Sequence, residues 1–459
     1  MEINLAKSQT TAPAWFYGLA VLVTQMDGGA VSTLLSAVTK EYQLTSTSAS
    51  WMAGLYTLLL VIATPVVANA ADLYGQRKVF LAELALWFAG ALVTYMGPTY
   101  FVVLLGRALQ AIGDCGIIVM SVDAMMTLAR QNHQGRKVSL MGIMSGLAAL
   151  LAPIIAGMTL GISDNWHNFY GIMCPLILAL FLIGCKVLPN STASATKRAD
   201  RAGAIVFSAG LACWMLALTF AQQMQQMGVL VVILALVGLA FFVAFPSLES
   251  RLTDDYQPFL PVKLFKQRAY RDTLILGIIG GMFFAVFIYI PTYAETTFNL
   301  SAQSAGMMLT SPGLGSIIGA FVGGVLVDRL GNRQALVLSS ALMLIATVTI
   351  SVTITSSTAF LAASFIMGVG MGAFMSAPLQ VVAGRLAGRG ARAEAIGGIS
   401  AGKKVGLTIA PLLMATSMDA LANSTGLTLN SFRSIFIIAA VLALICLIIS
   451  ATMPLSDAN

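Results

Sequence analysis

Apolar residues run along this chain in long blocks separated by short polar turns. Runs of about 20 residues, enough to cross a ~30 Å hydrocarbon core as a helix, fall at 14–37, 49–70, 79–97, 100–127, 138–161 and 169–187. They resume at 203–222, 228–247, 272–294, 303–327, 334–354, 358–383, 395–417 and 432–453. The runs are continuous and lack the ~10-residue alternation of barrel strands, so the pattern predicts helices. Fourteen spans put both termini on one side.

The basic residues test that register. One set of alternate loops holds Arg77, Lys78, Arg130, Arg136, Lys137, Lys186, Lys197, Arg198, Arg201, Arg251, Lys263, Lys266, Arg268, Arg271, Arg329, Arg333, Arg385, Arg389 and Arg392. The other set holds Lys40 and Arg433. Nineteen against two marks the first set as cytoplasmic, with both termini inside. A missed helix would scramble this bias.

Composition agrees. The chain of 459 residues is 58% hydrophobic and 9% charged, against about 25% charged in soluble domains, so most of its surface expects lipid. The net charge of +7 comes from the short loops and reports orientation, not nucleic-acid binding. Short loops and lean construction point to a bacterial inner membrane and a monomer. The first apolar run lacks a small-residue cleavage motif and reads as an uncleaved insertion signal.

Five cysteines inside apolar runs, without metal spacing, read as packing residues, and the two histidines fall in predicted loops. No metal site is expected. No nucleotide-phosphate loop and no nucleophile–base pair appears, which argues against an ATP-driven pump and against an enzyme. An ion gradient is the remaining energy source, buried carboxylates favour H⁺, and no cofactor is expected. A non-transporting membrane receptor is disfavoured by the lack of a sizeable soluble domain.

The chain also repeats itself. "ADLYGQRK" (71–78) and "VDRLGNRQ" (327–334) each give Asp-x-x-Gly-x-Arg directly after a helix. The two aspartates, Asp72 and Asp328, are too far apart for six helices alone. The expected layout is therefore an N-terminal six-helix bundle (1–190), a linker (191–202), an inserted two-helix hairpin turning at Gln222, Gln223, Gln225 and Gln226 (203–247), a second linker (248–271) and a C-terminal six-helix bundle (272–459).

These loops resemble the helix 2–3 signature of the major facilitator superfamily, Gly-x-x-x-Asp-Arg-x-Gly-Arg-Arg/Lys. The second copy (Gly324, Asp328, Arg329, Gly331, Arg333) matches well; the first (Asp72, Gly75, Arg77) has Ala68 and Leu73 at two of its positions. The resemblance implies a cytoplasmic clamp, in which Asp72 accepts at a helix N-terminus and pairs with Arg77. "LLGRALQAIGDCG" (104–116) resembles the helix 4 signature, with Arg107, Gln110, Gly113 and Gly116 carried over; in the family this arginine is linked to proton transfer. "GLAALLAPIIAG" (146–157) resembles the antiporter helix 5 motif through Pro153 and Gly157, with Ala152 and Ala156 replacing glycines. "MDGGAVSTLLSAV" shares Asp27 with the first helix of the fourteen-helix drug:proton antiporter branch. A proton-coupled antiporter with the major facilitator fold, exporting amphipathic or cationic compounds, is the expectation; its rival is a transporter of an anionic metabolite using Lys403 and Lys404.

The charges buried in these runs are the candidate chemistry. Asp27 sits about 20 Å into helix 1 at 1.5 Å per residue, near mid-membrane. It reads either as a protonation site exposed to a central cavity or as an acid permanently paired with Arg107. Under the first reading, Asp27→Asn would stop pH-driven transport without disturbing folding. Gly28 and Gly29 beside it allow close backbone approach or a local break. Asp114 lies on the same face of helix 4 as Arg107, whereas Asp123 lies on the opposite face near the cytoplasmic end. Glu83 is expected to snorkel or pair with an arginine. Gln25, Gln110, Lys403, Phe287 and Tyr289 complete the candidate cavity lining, the last two belonging to an aromatic stripe on helix 9 that packing also explains.

Overall fold

The computed structural model describes residues 12–163, 165–190, 198–221, 224–249, 256–257, 262–353, 356–388, 391–421 and 429–454. Gln222, Gln223, Lys197, Arg251 and Arg389 lie outside them, as do both chain ends. The N-terminal helices are α1 (Ala14–Glu41), α2 (Ser46–Tyr74), α3 (Gln76–Tyr95), α4 (Tyr100–Leu128), α5 (Gln134–Ser163) and α6 (His167–Val187). A hairpin follows, α7 (Arg201–Ala221) and α8 (Met224–Glu249). The remainder is α9 (Arg268–Phe298), α10 (Ser304–Leu330), α11 (Asn332–Thr353), α12 (Ser357–Ala387), α13 (Arg392–Ala420) and α14 (Leu429–Thr452).

Thirteen of these helices are both long and apolar enough to cross a membrane among the described residues. The fourteenth, α13, has 29 residues and so about 43 Å of length; it is too polar for the apolar set because Glu394, Lys403 and Lys404 lie along it. It packs against α2 and α9. Its length and neighbours make it the spanning helix expected over 395–417.

Two apolar cores organise the chain. One is built from α1–α6 around Phe16, Trp87, Phe169 and Met173. The other is built from α9–α14 around Phe283, Tyr293, Phe360 and Phe436. The hairpin stands outside both. Leu211 and Met215 of α7 rest on Leu58 and Val61 of α2, while α8 leaves Val229, Leu236 and Val243 exposed, as lipid contact requires. A two-residue parallel bridge, Arg198–Ala199 with Tyr256–Gln257, ties together the segments that enter and leave the hairpin.

The two halves repeat each other in detail. Gly75 and Gly331 join α2 to α3 and α10 to α11 with φ of 92° and 87°, a region glycine enters without the Cβ penalty. Both copies of the Asp-x-x-Gly-x-Arg turn therefore use glycine for the same backbone reason. Helix α4 breaks at Cys115–Gly116, and its counterpart α12 breaks at Ser376–Ala377. Helix α9 also breaks, at Ala285. By contrast α1 runs unbroken through Gly28 and Gly29, so the local break considered there does not form. Gly29 instead lets α1 lie against Ala149 and Ala152 of α5, while a Cβ at Gly28 would meet open space. At Gly157 there is likewise no neighbour within 4 Å, so no helix packs closely there.

Helices α10 and α12 are held by small residues. A Cβ placed on Gly319 would strike the Val369 carbonyl, and one on Gly372 the Ser316 carbonyl. The obstacle is backbone on both sides, so neither helix can yield cheaply. Gly319→Ala should destabilise the purified protein by about 1–3 kcal/mol, the usual cost of overpacking. Gly313→Ala on the same helix meets nothing within 4 Å and should be neutral or stabilising by a few tenths of a kcal/mol. Thermal unfolding in detergent checks the contrast.

Candidate functional site

The middle of the N-terminal half holds a charged cluster. Arg107 of α4 and Asp27 of α1 form an ion pair at 2.5 Å and are 1% and 0% exposed. The guanidinium also donates to the Gln110 side-chain oxygen at 3.1 Å, the Tyr170 hydroxyl at 3.3 Å and the Met52 carbonyl at 3.3 Å. Its carbon stands 4.4 Å from the centroid of the Tyr56 ring, a cation–π contact. Two charges removed from water are tolerable only with such complete satisfaction. Asp27 is therefore enclosed with Arg107 in this structure and does not face a cavity. Gln110 is enclosed with them at 0% exposure. It serves the arginine and does not line a cavity.

Asp114 is arranged differently. It lies two turns further along α4, and its carboxylate accepts from the Tyr56 hydroxyl at 2.7 Å and from the Gln25 amide at 3.0 Å. Lys404 of α13, from the other half, opposes it electrostatically. Lys403 is corrected: it turns away and donates to the Met375 carbonyl at 2.6 Å, where the first segment of α12 ends. Adjacent residues on a helix face directions about 100° apart, so only one of the two lysines can face Asp114.

The aromatic stripe on α9 divides between roles. Phe283 and Tyr293 are buried, and Tyr293 sits among Phe298, Phe360, Phe432 and Phe436. Tyr289 donates to the Pro411 carbonyl of α13 at 3.1 Å, and Phe287 packs on Phe284 at 5.2 Å between centroids. These contacts are internal to the C-terminal half and are sufficient to explain the stripe as packing.

At the end that carries the arginine-rich loops, polar contacts join the halves. Asp72 accepts from the Glu394 amide at 3.3 Å, at the N-terminus of α13. Asp328 accepts from the Gly135 and Arg136 amides at 2.7 and 3.1 Å, at the N-terminus of α5. Each aspartate thus meets the positive end of a helix in the opposite half. The expected pairing of Asp72 with Arg77 does not form. Arg77 reaches the Cys185 carbonyl near the end of α6 at 2.6 Å, and Arg333 reaches the Ala451 carbonyl near the end of α14. Arg329 is exposed. Asp123 pairs with Arg392 at 3.2 Å and also accepts from Gln76, while Asn69 donates to Glu394 at 2.6 Å and Arg385 to Gln134 at 2.9 Å. At the opposite end, Glu41 holds Trp166 and His167, all within the N-terminal half.

The family model described as Major Facilitator Superfamily matches residues 17–204 and 273–457, and the stretch it skips contains nearly all of the hairpin. The chain belongs to the Major Facilitator Superfamily. It is a multi-span membrane transporter and not an enzyme, and members of this superfamily bind small-molecule substrates within the membrane. It is 30% identical over 430 residues to an uncharacterized MFS-type transporter, YfiU, of Bacillus subtilis (strain 168), covering 93% of this chain and 83% of that one. Multidrug resistance protein 3 of the same organism is 25% identical over 324 residues, covering 70% of this chain and 62% of that one. Among solved structures, the proton:xylose symporter XylE aligns with a TM-score of 0.66 at 14% identity, covering 94% of each chain; this likeness concerns the fold alone. Among the described residues no cluster of His, Cys, Asp and Glu could hold a metal ion.

The motif residues of α4 also acquire roles that spacing did not show. A Cβ on Gly113 would strike the Trp87 amide of α3, and Gly116 donates its amide to Glu83 at 2.8 Å. Glu83 is 4% exposed and pairs with no arginine among the described residues, so it does not snorkel. The enclosed pair also changes what substitution at Asp27 does. Arg107→Gln or Asp27→Asn alone strands one buried charge and should cost about 3–5 kcal/mol. The double variant removes both charges and should recover most of that loss. Unfolding of the three purified variants measures the coupling, and additive losses would show that the pair is not a unit.

Proposed function

We propose that this chain is a proton-coupled antiporter of the fourteen-helix drug:proton branch. It exports amphipathic or cationic small molecules across a plasma membrane by alternating access. The basic end and both termini face the cytoplasm, the protein works as a monomer, and the H⁺ gradient is its energy source.

The observation that carries this reading is Asp114. A carboxylate at mid-membrane, held by two neutral donors and opposed across the halves by Lys404, can be satisfied in two further ways. It can take a proton, or it can meet an organic cation. Occupants that exclude each other at one site are what antiport requires. The name of the Bacillus subtilis relative, Multidrug resistance protein 3, supports the substrate class. Asp72 and Asp328, with Gly75, Gly324, Gly331, Arg77, Arg329 and Arg333, form the paired clamps; released together, they let the cytoplasmic end open. Asp27 and Arg107 hold α1 to α4, and Asp123 bears on the clamp through Arg392.

Lys404 favours one competing reading, a transporter of anionic metabolites, in which its ammonium meets the substrate. Everted vesicles with an imposed pH gradient separate the two. The wild type should drive uptake of tetraphenylphosphonium. Asp114→Asn should reduce uptake to the level of empty vesicles, and Lys404→Ala should retain it. Gradient-driven uptake of an aromatic sulfonate in place of tetraphenylphosphonium, lost in Lys404→Ala, would overturn the cation reading.

A further inference from the structure

Glu83 is a buried acid that the antiport scheme does not use. It projects from α3 into the break of α4. Its Oε1 accepts from the Gly116 amide at 2.8 Å and from the Cys115 thiol at 3.4 Å. Its Oε2 is buried without a hydrogen-bond partner among the described residues, and no ion pair there includes it. The other acids of the N-terminal half are better satisfied: Asp27 has Arg107, Asp114 has Tyr56, Gln25 and Lys404, and Asp123 has Arg392 and Gln76.

The surroundings of Glu83 pull in two directions. Gly116 precedes the segment Ile117–Leu128, so the carboxylate faces the positive end of a half-helix, which supports an anion. Among the described residues no cation answers it. The ionisable groups that bear on it are Cys115 and Asp114, both from α4, while α2 presents the apolar Val67 beside Gly116. An ionised carboxylate so placed carries an uncompensated desolvation cost of several kcal/mol. A carboxylic acid uses both oxygens as they stand, Oε1 as acceptor and Oε2 as hydroxyl. The balance between the two forms turns on whether the α4 break is dry.

We propose that Glu83 is a second proton-carrying carboxylate of the transport cycle, holding its proton while the break of α4 is closed and exchanging it when α4 rebends at Cys115–Gly116. Asp114, the residue before Cys115, is the partner through which it senses the substrate site. No covalent chemistry is involved: a proton moves between carboxyl oxygen and water. The assignment rests on the antiport reading above, and its test keeps the two apart.

Purified wild type, Asp114→Asn and Glu83→Gln are titrated with tetraphenylphosphonium in weakly buffered detergent solution, and released protons are counted. Infrared difference spectra record the carboxylic C=O stretch. The wild type should release protons on binding, and Glu83→Gln should release one fewer and lack one carboxylic band. Undiminished release and an unchanged spectrum in Glu83→Gln would overturn the assignment of Glu83 alone. No release from the wild type would overturn the antiport reading beneath it. Should Glu83→Gln fail to fold, Cys115→Ser in the same assay should shift that carboxylic band through its stronger hydroxyl donor, and an unshifted band counts against the proposal.

Discussion

An arginine and an aspartate enclosed at mid-membrane set the terms for the N-terminal half. Neither can stand alone in hydrocarbon, and between them Asp27 and Arg107 draw in α1, α2, α4 and α6 through Met52, Tyr56, Gln110 and Tyr170. Four helices are thereby fixed to one another by a single requirement for satisfaction. Among the described residues, the C-terminal half has no comparable buried charge pair. There, glycine-to-carbonyl packing locks α10 to α12, and the aromatic cluster around Tyr293 fills the core. With each half stiffened internally, relative motion is left to the surfaces between them.

Among the described residues, the hydrogen bonds and ion pairs that join those surfaces lie at one end. The helix N-termini of α5 and α13 each receive an aspartate from the opposite half. A dipole–carboxylate contact of this kind is worth roughly 0.3–1 kcal/mol at an exposed terminus and more when partly buried. Two such contacts, with Asp123–Arg392 and Asn69–Glu394 beside them, hold the two halves together at that end. The apolar contacts at that end, where Val327, Val381, Ala393 and Ile396 join the N-terminal core, add to the same seal.

Much of this was legible in the sequence. Helix count, the internal repeat and the acids of α1 and α4 follow from patterning that lipid enforces on every residue it touches. What stayed hidden depends on facing. Lys403 and Lys404 are indistinguishable by position along α13, yet only Lys404 bears on Asp114, because their neighbours on α12 and α4 decide the matter. Asp72 and Arg77 look like a local pair, but each finds a better partner at a helix terminus, where unpaired amides or carbonyls are waiting. Gln110 looks like a lining residue until Arg107 claims its oxygen. The break in α4 had no signal beyond Gly113 and Gly116, which are common enough in spanning helices for packing alone.

The two broken helices show how such a break is made tolerable in lipid. Interrupting a helix strands amides on one side and carbonyls on the other, and hydrocarbon offers neither a partner. In α4 the stranded Gly116 amide is met by the Glu83 carboxylate, and the Cys115 carbonyl by the Thr64 hydroxyl of α2 at 3.4 Å. In α12 the Met375 carbonyl, at the negative end of its segment, is met by the Lys403 ammonium. Acid answers the amide end and base the carbonyl end, as the helix dipole requires. The symmetry of position combined with opposite chemistry means that the two breaks respond differently to protons. A lysine that loses its charge still donates to a carbonyl. A glutamate that gains a proton still accepts from an amide but ceases to be an anion, so its pull on the α4 half-helix falls while the Lys403 contact persists. The contact that anchors the α4 break is therefore sensitive to protonation where the contact at the α12 break is not.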